Sequence, residues 1–125
     1  MTTSLQTDHS PAAVVQRQLD AYNRRDLDAL LATYSAQARQ YEFPAVLAAT
    51  GTDQIRARMG VRFQEPDLYA RLVQRAVMGN IVIDQEIVTR NFADGIGTVD
   101  VVAIYEIVDG QIASATVQVS NQRLK

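Results

Sequence analysis

Residues 97–120 read GTVDVVAIYEIVDGQIASATVQVS, and this stretch decides the fold. Val99, Val101, Ala103, Tyr105 and Ile107 recur at every second position, the period of a β-strand and not of a helix. Asp109-Gly110 then supplies the turn chemistry of a tight hairpin, and a second alternating run continues to Ser120. The first strand also carries Val102, Ile104 and Val108 on its other face. A sheet covered by helices on one side only normally shows a polar second face, so a further cover is expected. A two-fold dimer through the sheet fits, with Ala113, Ala115, Val117 and Val119 of the following strand as part of its apolar surface. The competing arrangement, a doubly covered strand in a monomer, needs more helices than the chain has left.

Working outward, alternation places two more strands at Tyr69–Met78 and Ile81–Asn91, with turns at Gly79-Asn80 and Ala93-Asp94-Gly95. Upstream the period changes. Ser10-Pro11 opens a first helix, whose buried stripe is Val14, Val15, Gln18, Leu19 and Tyr22, and Asn23-Arg24-Arg25 breaks it. Asp26 caps a second helix with Leu27, Leu30, Leu31 and Tyr34 on its apolar face. A short strand follows at Arg39–Phe43, ended or held at an edge by Pro44. Gly51-Thr52 opens a third helix facing Ile55, Met59 and Phe63 inward, which Gly60 is expected to bend or stop. Helices followed by an antiparallel meander make an α+β domain over residues 11–125, preceded by a loose arm over residues 1–10.

Composition narrows the chemistry. The chain has 125 residues, 47% hydrophobic and 21% charged, which suits one folded domain. Its net charge of -2 gives no basic surplus for nucleic acid. It has no Cys and a single His in the N-terminal arm, which removes thiol chemistry, a His-dependent triad and a Cys- or His-rich metal site. No basic leader and no run of about 20 apolar residues is present, so neither a secretion signal nor a membrane span is expected and the cytoplasm is the default location. No cofactor is expected: the six glycines are scattered singly and build no phosphate cradle.

AVVQRQLDAYNRRDLDALLATYSAQA at Ala13–Ala38, YEFP at Tyr41–Pro44, TGTDQIR at Thr50–Arg56 and YEIVDGQI at Tyr105–Ile112 appear in this order. Together they resemble the nuclear transport factor two-like superfamily, in particular its SnoaL-like and ketosteroid isomerase-like branches, over nearly all of residues 11–120. The resemblance implies a cone, in which a strongly curved antiparallel sheet (a cystatin-like α+β barrel) wraps three helices around an apolar pocket, and a homodimer formed through the sheet. It also implies that Glu42 stands where the isomerases carry their carboxylate base. Gln18 falls at the position of their oxyanion Tyr, and Ala103 or Ile104 at that of their protonated Asp. Gln118 lies where SnoaL-like cyclases are expected to place a carboxylate. The base is thus kept and most of the oxyanion hole is lost, although a Tyr can stand in as donor.

The residues themselves leave alternatives beside this. Glu42 between Tyr41 and Phe43 points away from both rings, so it is either solvated or turned toward a pocket that would raise its pKa. Gln18 lines a pocket or reaches past its stripe to water, and Tyr22, Tyr34, Tyr69 and Tyr105 read first as core or rim. Arg58 and Arg62, one turn apart, form either an anion clamp at a pocket mouth or a solvated helix face. Asp84, Glu86, Asp100 and Glu106 offer a second carboxylate, with Asp100 and Glu106 better suited to salt bridges on the Val102–Ile104 face. The expected site is Glu42 as general base with Gln18, Tyr22, Phe63, Tyr105 and Gln118 around a small apolar or enolisable ligand, and no metal. Two functions stay open: an isomerase- or cyclase-type proton transfer resembling steroid delta-isomerase, and a non-catalytic ligand-binding or dimeric interaction module.

Overall fold

A computed structural model describes residues 8–125; residues 1–7 of the expected arm lie outside the described residues. The elements run α1 (Pro11–Arg24), α2 (Leu27–Ala32), β1 (Tyr34–Glu42), β2 (Val46–Thr50), α3 (Gly51–Arg62), β3 (Tyr69–Met78), β4 (Ile81–Phe92), β5 (Gly95–Val108) and β6 (Gln111–Leu124). Six strands form one sheet in the order β2-β1-β6-β5-β4-β3. The meander β3 to β6 and the β1–β2 hairpin are antiparallel, and β1 joins β6 in parallel, which the alternation in the sequence does not reveal.

Local chemistry sets the helix ends. Pro11 starts α1 where its missing N–H is not needed, and Arg25 ends it in the left-handed conformation, its N–H returning to Ala21 and Tyr22 carbonyls. The Arg25 guanidinium then donates to the carbonyls of Glu65, Pro66 and Leu68, tying this turn to the chain entering β3. Asp26 caps α2 by accepting from the Ala29 N–H at 3.0 Å. Tyr34 does not extend this helix as its spacing suggested; it begins β1, because α2 stops at Ala32. β2 went unread in the sequence, and α3 continues through Gly60 to Arg62, since its packing outweighs the modest cost of one glycine.

The helices lie on the inner face of the sheet, α1 across β3 and β4 and α3 across β1 and β2. Val14, Val15, Leu30, Ile55, Val82 and Ile112 are the fully buried centre. Asn23 fixes α1 to the sheet by donating to the Ala70 carbonyl at 2.9 Å and accepting the Ala70 N–H at 2.8 Å. The inward set of β5 is Val99, Val101, Ala103, Tyr105 and Ile107, all buried. Ala115, Val117 and Val119 pair opposite Tyr105, Ala103 and Val101 and share that inner face, so they do not belong to an outer apolar surface as the sequence suggested. The outer face is made instead by Ile81, Ile83, Val102 and Ile104, with Asp100 paired to Arg123 at 2.8 Å toward one end.

Candidate functional site

Small side chains leave room inside the sheet. Ala70, Ala103 and Ala115 occupy inward positions on β3, β5 and β6, and the helices do not fill the space over them. The result is a cavity of about 480 Å³, lined on its apolar side by residues such as Leu19, Met59, Val88, Val99 and Val101. That is large enough for a small organic molecule.

Its polar groups come from four directions. From α1, Gln18 is buried and its Oε1 accepts from the Tyr105 hydroxyl at 3.3 Å. This contact uses the Gln18 oxygen and leaves the donors of its amide nitrogen, on a residue that lines the cavity, uncommitted. Burial drives the Tyr105 phenol well above its ordinary pKa and pushes Tyr34 up to about 12, so both remain protonated donors at any physiological pH. A chain of contacts then runs to the mouth: Gln40 donates to the Tyr34 hydroxyl at 3.3 Å, Arg58 donates to Gln40 at 2.9 Å, and Arg58 lies 3.7 Å from Glu42.

The buried carboxylate of the cavity is Glu86. It sits on the inner face of β4 between Leu72 and Val101 of the neighbouring strands and is only 6% exposed. No cation pairs with it among the described residues. Desolvation, with the Asp84 charge adding to it, pushes its pKa up to about 7, while the Arg75 charge pulls the other way. A carboxyl group with that value exchanges protons at neutral pH. Asp84, two residues away on the same face, is fully buried but differs in kind: Arg75 forks onto it at 2.7 and 2.9 Å and also donates to Gln16 at 2.9 Å.

The expected site residues are distributed as follows. Gln18, Tyr22 and Tyr105 line the cavity wall. Glu42 lines the mouth, with 64% of its side chain exposed. Gln118 reaches only the rim and is exposed, paired across from Val102. Phe63 is not a lining residue; it caps the end of α3 and braces Tyr22 edge-on, with ring centroids 5.6 Å apart. Glu86 was legible only as one of four strand acids, because Ile81, Ile83 and Ile87 make the opposite face of β4 equally apolar. Its signal was the set Val82, Asp84, Glu86 and Val88 on one face, opposite an arginine of the neighbouring strand.

The helix pair, the interrupted sheet and the cavity they enclose agree with a sequence match to the SnoaL-like domain that spans residues 15–115. The chain belongs to the SnoaL-like domain family. No curated protein matches it. Among solved structures, this SnoaL-like chain is similar to an uncharacterised cystatin-fold protein from Novosphingobium aromaticivorans, with 20% identity, a TM-score of 0.81, and coverage of 86% of this chain and 97% of that one. It is also similar to a candidate SnoaL-like polyketide cyclase from Jannaschia, with 20% identity, a TM-score of 0.76, and coverage of 90% and 87%. A protein with a ketosteroid isomerase-like fold from Catenulispora acidiphila, solved in complex with trimethylamine, matches with 14% identity, a TM-score of 0.76, and coverage of 86% and 85%. At these identities the likeness is one of fold. Among the described residues no cluster of His, Asp or Glu is arranged to hold a metal, and no helix is long and apolar enough to cross a membrane.

Proposed function

We propose that the SnoaL-like chain binds a small, largely apolar carbonyl compound in its cavity and moves a proton on it, as an isomerase or cyclase does, with Glu86 as the acid–base group. The observation that carries this reading is the environment of Glu86: a carboxyl group on the cavity wall, buried and without a paired cation, a setting that pushes its pKa up to about 7. In this role the ionised carboxylate takes a proton from the carbon next to the carbonyl, and the resulting acid returns it to another carbon. The enolate oxygen formed between these steps needs donors. The Gln18 amide nitrogen is the donor this reading assigns from α1, in place of the acids that Ala103 and Ile104 do not provide, with the Tyr105 hydroxyl holding the Gln18 oxygen. The ketosteroid isomerase-like and cyclase names among the structural neighbours agree with proton transfer as the reaction class.

Glu42 remains the competing base, because the family resemblance puts it there and because it lines the cavity mouth. Deuterium exchange from heavy water into β-tetralone, followed by proton NMR above the buffer rate, separates the two. Glu86→Gln lowers the exchange rate about a hundredfold or more, and Glu42→Gln lowers it less than about tenfold. The reverse ranking makes Glu42 the base. No exchange above the buffer rate with the unaltered chain leaves the cavity as a binding module.

The same reading includes a second copy of the chain on the outer sheet face. Support comes from the row Ala76, Ile83, Ile104 and Thr116, which runs across four strands, with Val102 exposed beside it. Such a surface, presented twice about a two-fold axis, is self-complementary.

A further inference from the structure

The cavity wall carries three arginines and two carboxylates. Arg58, Arg62 and Arg90 all line it, against Glu42 and Glu86. Arg90 is satisfied from outside the cavity: Glu65 receives both of its forks at 2.8 and 2.7 Å and also accepts the Asn91 N–H at 2.9 Å. That carboxylate is therefore committed, and Arg62 reaches it only at 3.7 Å, beyond hydrogen-bond distance. Arg58 is in a similar position, hydrogen-bonded to the neutral Gln40 and 3.7 Å from a mostly exposed Glu42. Both side chains are 29% exposed, and their i, i+4 spacing on α3 sets the two guanidinium groups one turn apart on the cavity side.

We infer that the ligand is an anion, an apolar body ending in a carboxylate, whose charged end is held by Arg58 and Arg62 while the body lies against Leu19, Met59, Val99 and Val101. This deepens the proposed function and rests on its cavity being the ligand site. Guanidinium groups favour carboxylates because their planar forks match two oxygens at once, and a partly desolvated setting strengthens the contact. Glu42 offsets one of these two charges from a mostly exposed position, and the carboxylate of the ligand offsets the other. The Tyr22 hydroxyl, whose oxygen the Arg62 guanidinium approaches as a donor and whose proton burial retains, stands beside the same position.

Isothermal titration of the full chain with naphthalene carboxylate and with naphthalene carboxamide tests this, since the two probes share a shape and differ in charge. The expected result is at least about tenfold tighter binding of the carboxylate, with Arg62→Gln removing about tenfold of its affinity and leaving the carboxamide within about twofold. Arg58→Gln gives the same selective loss, so the comparison survives if one variant fails to fold. Equal binding of the two probes, or an equal loss of both on Arg62→Gln, overturns the inference. Binding of neither at millimolar concentration overturns the cavity as a ligand site altogether. None of these readings involves proton transfer: selective carboxylate binding without deuterium exchange keeps the anion site and removes the role of Glu86, and exchange with no carboxylate preference does the opposite.

Discussion

Asp84 and Glu86 stand two residues apart on the same inward face of β4, both buried, and only Asp84 has a cation: the Arg75 guanidinium grips it at 2.7 and 2.9 Å. One strand thus holds a committed carboxylate beside an uncommitted one. The pair controls the free acid through space, since the Asp84 charge disfavours ionisation of Glu86 and the Arg75 charge favours it.

Breaking that pair has opposite effects on Glu86 depending on which partner goes. Asp84→Asn removes the like charge and releases Arg75, so the Glu86 titration moves down; Arg75→Met leaves the Asp84 charge unopposed, and it moves up. Either change leaves a buried charge without its partner and costs about 3–5 kcal/mol of stability in urea denaturation. Shifts of the same sign in both variants would contradict the arrangement.

Stability should depend on pH through Glu86. Unfolded, the side chain ionises near 4.5, and folded at about 7, so between those values the folded state holds a proton that the unfolded state has lost. The stabilising effect of the neutral acid is complete below the lower value and is lost as pH rises through the upper one, a change on the order of 3 kcal/mol. In Glu86→Gln this slope disappears. Denaturation curves of the two chains between these pH values would run parallel if Glu86 were an ordinary carboxylate.

Self-association through the sheet is checked by sedimentation. A glutamate at position 104 of one copy would face its equivalent or the isoleucines of the other, so Ile104→Glu is expected to give a folded monomer where the unaltered chain sediments as a dimer. An unaltered chain that is monomeric at high micromolar concentration would remove this part of the reading.

Asn23 offers a purely structural prediction. Its two hydrogen bonds to Ala70 at 2.9 and 2.8 Å hold the start of β3 against α1, and an alanine there leaves the backbone groups of Ala70 unpartnered in a part-buried position. Asn23→Ala should cost about 1–3 kcal/mol by thermal or urea denaturation, with the cavity-lining residues unchanged. A neutral result would mean that water replaces both contacts.

The fold was readable where a local rule acts alone. The Asp109-Gly110 turn, Pro11 and the Asp26 cap each fix a boundary through their own chemistry, and all three stand where the sequence put them. Tyr34 and β2 were missed because apolar spacing over a few residues suits helix and strand alike, and the parallel pairing of β1 with β6 depends on distant residues. The site divided in the same way. Gln18, Tyr22 and Tyr105 stood out as polar atoms within apolar stripes, and all line the cavity. Glu86 did not, because β4 is apolar on both faces and only the packed helices decide which face turns inward. The Arg58–Arg62 spacing was visible from the start, but whether it faced water or a cavity depended on how α3 lies across β1.

The claim that Glu86 is a proton-exchanging acid is tested most directly by its own titration, read from the carboxyl carbon by NMR and assigned by its absence in Glu86→Gln. The predicted midpoint is about 7. A midpoint near 4.5, the ordinary glutamate value, would contradict it.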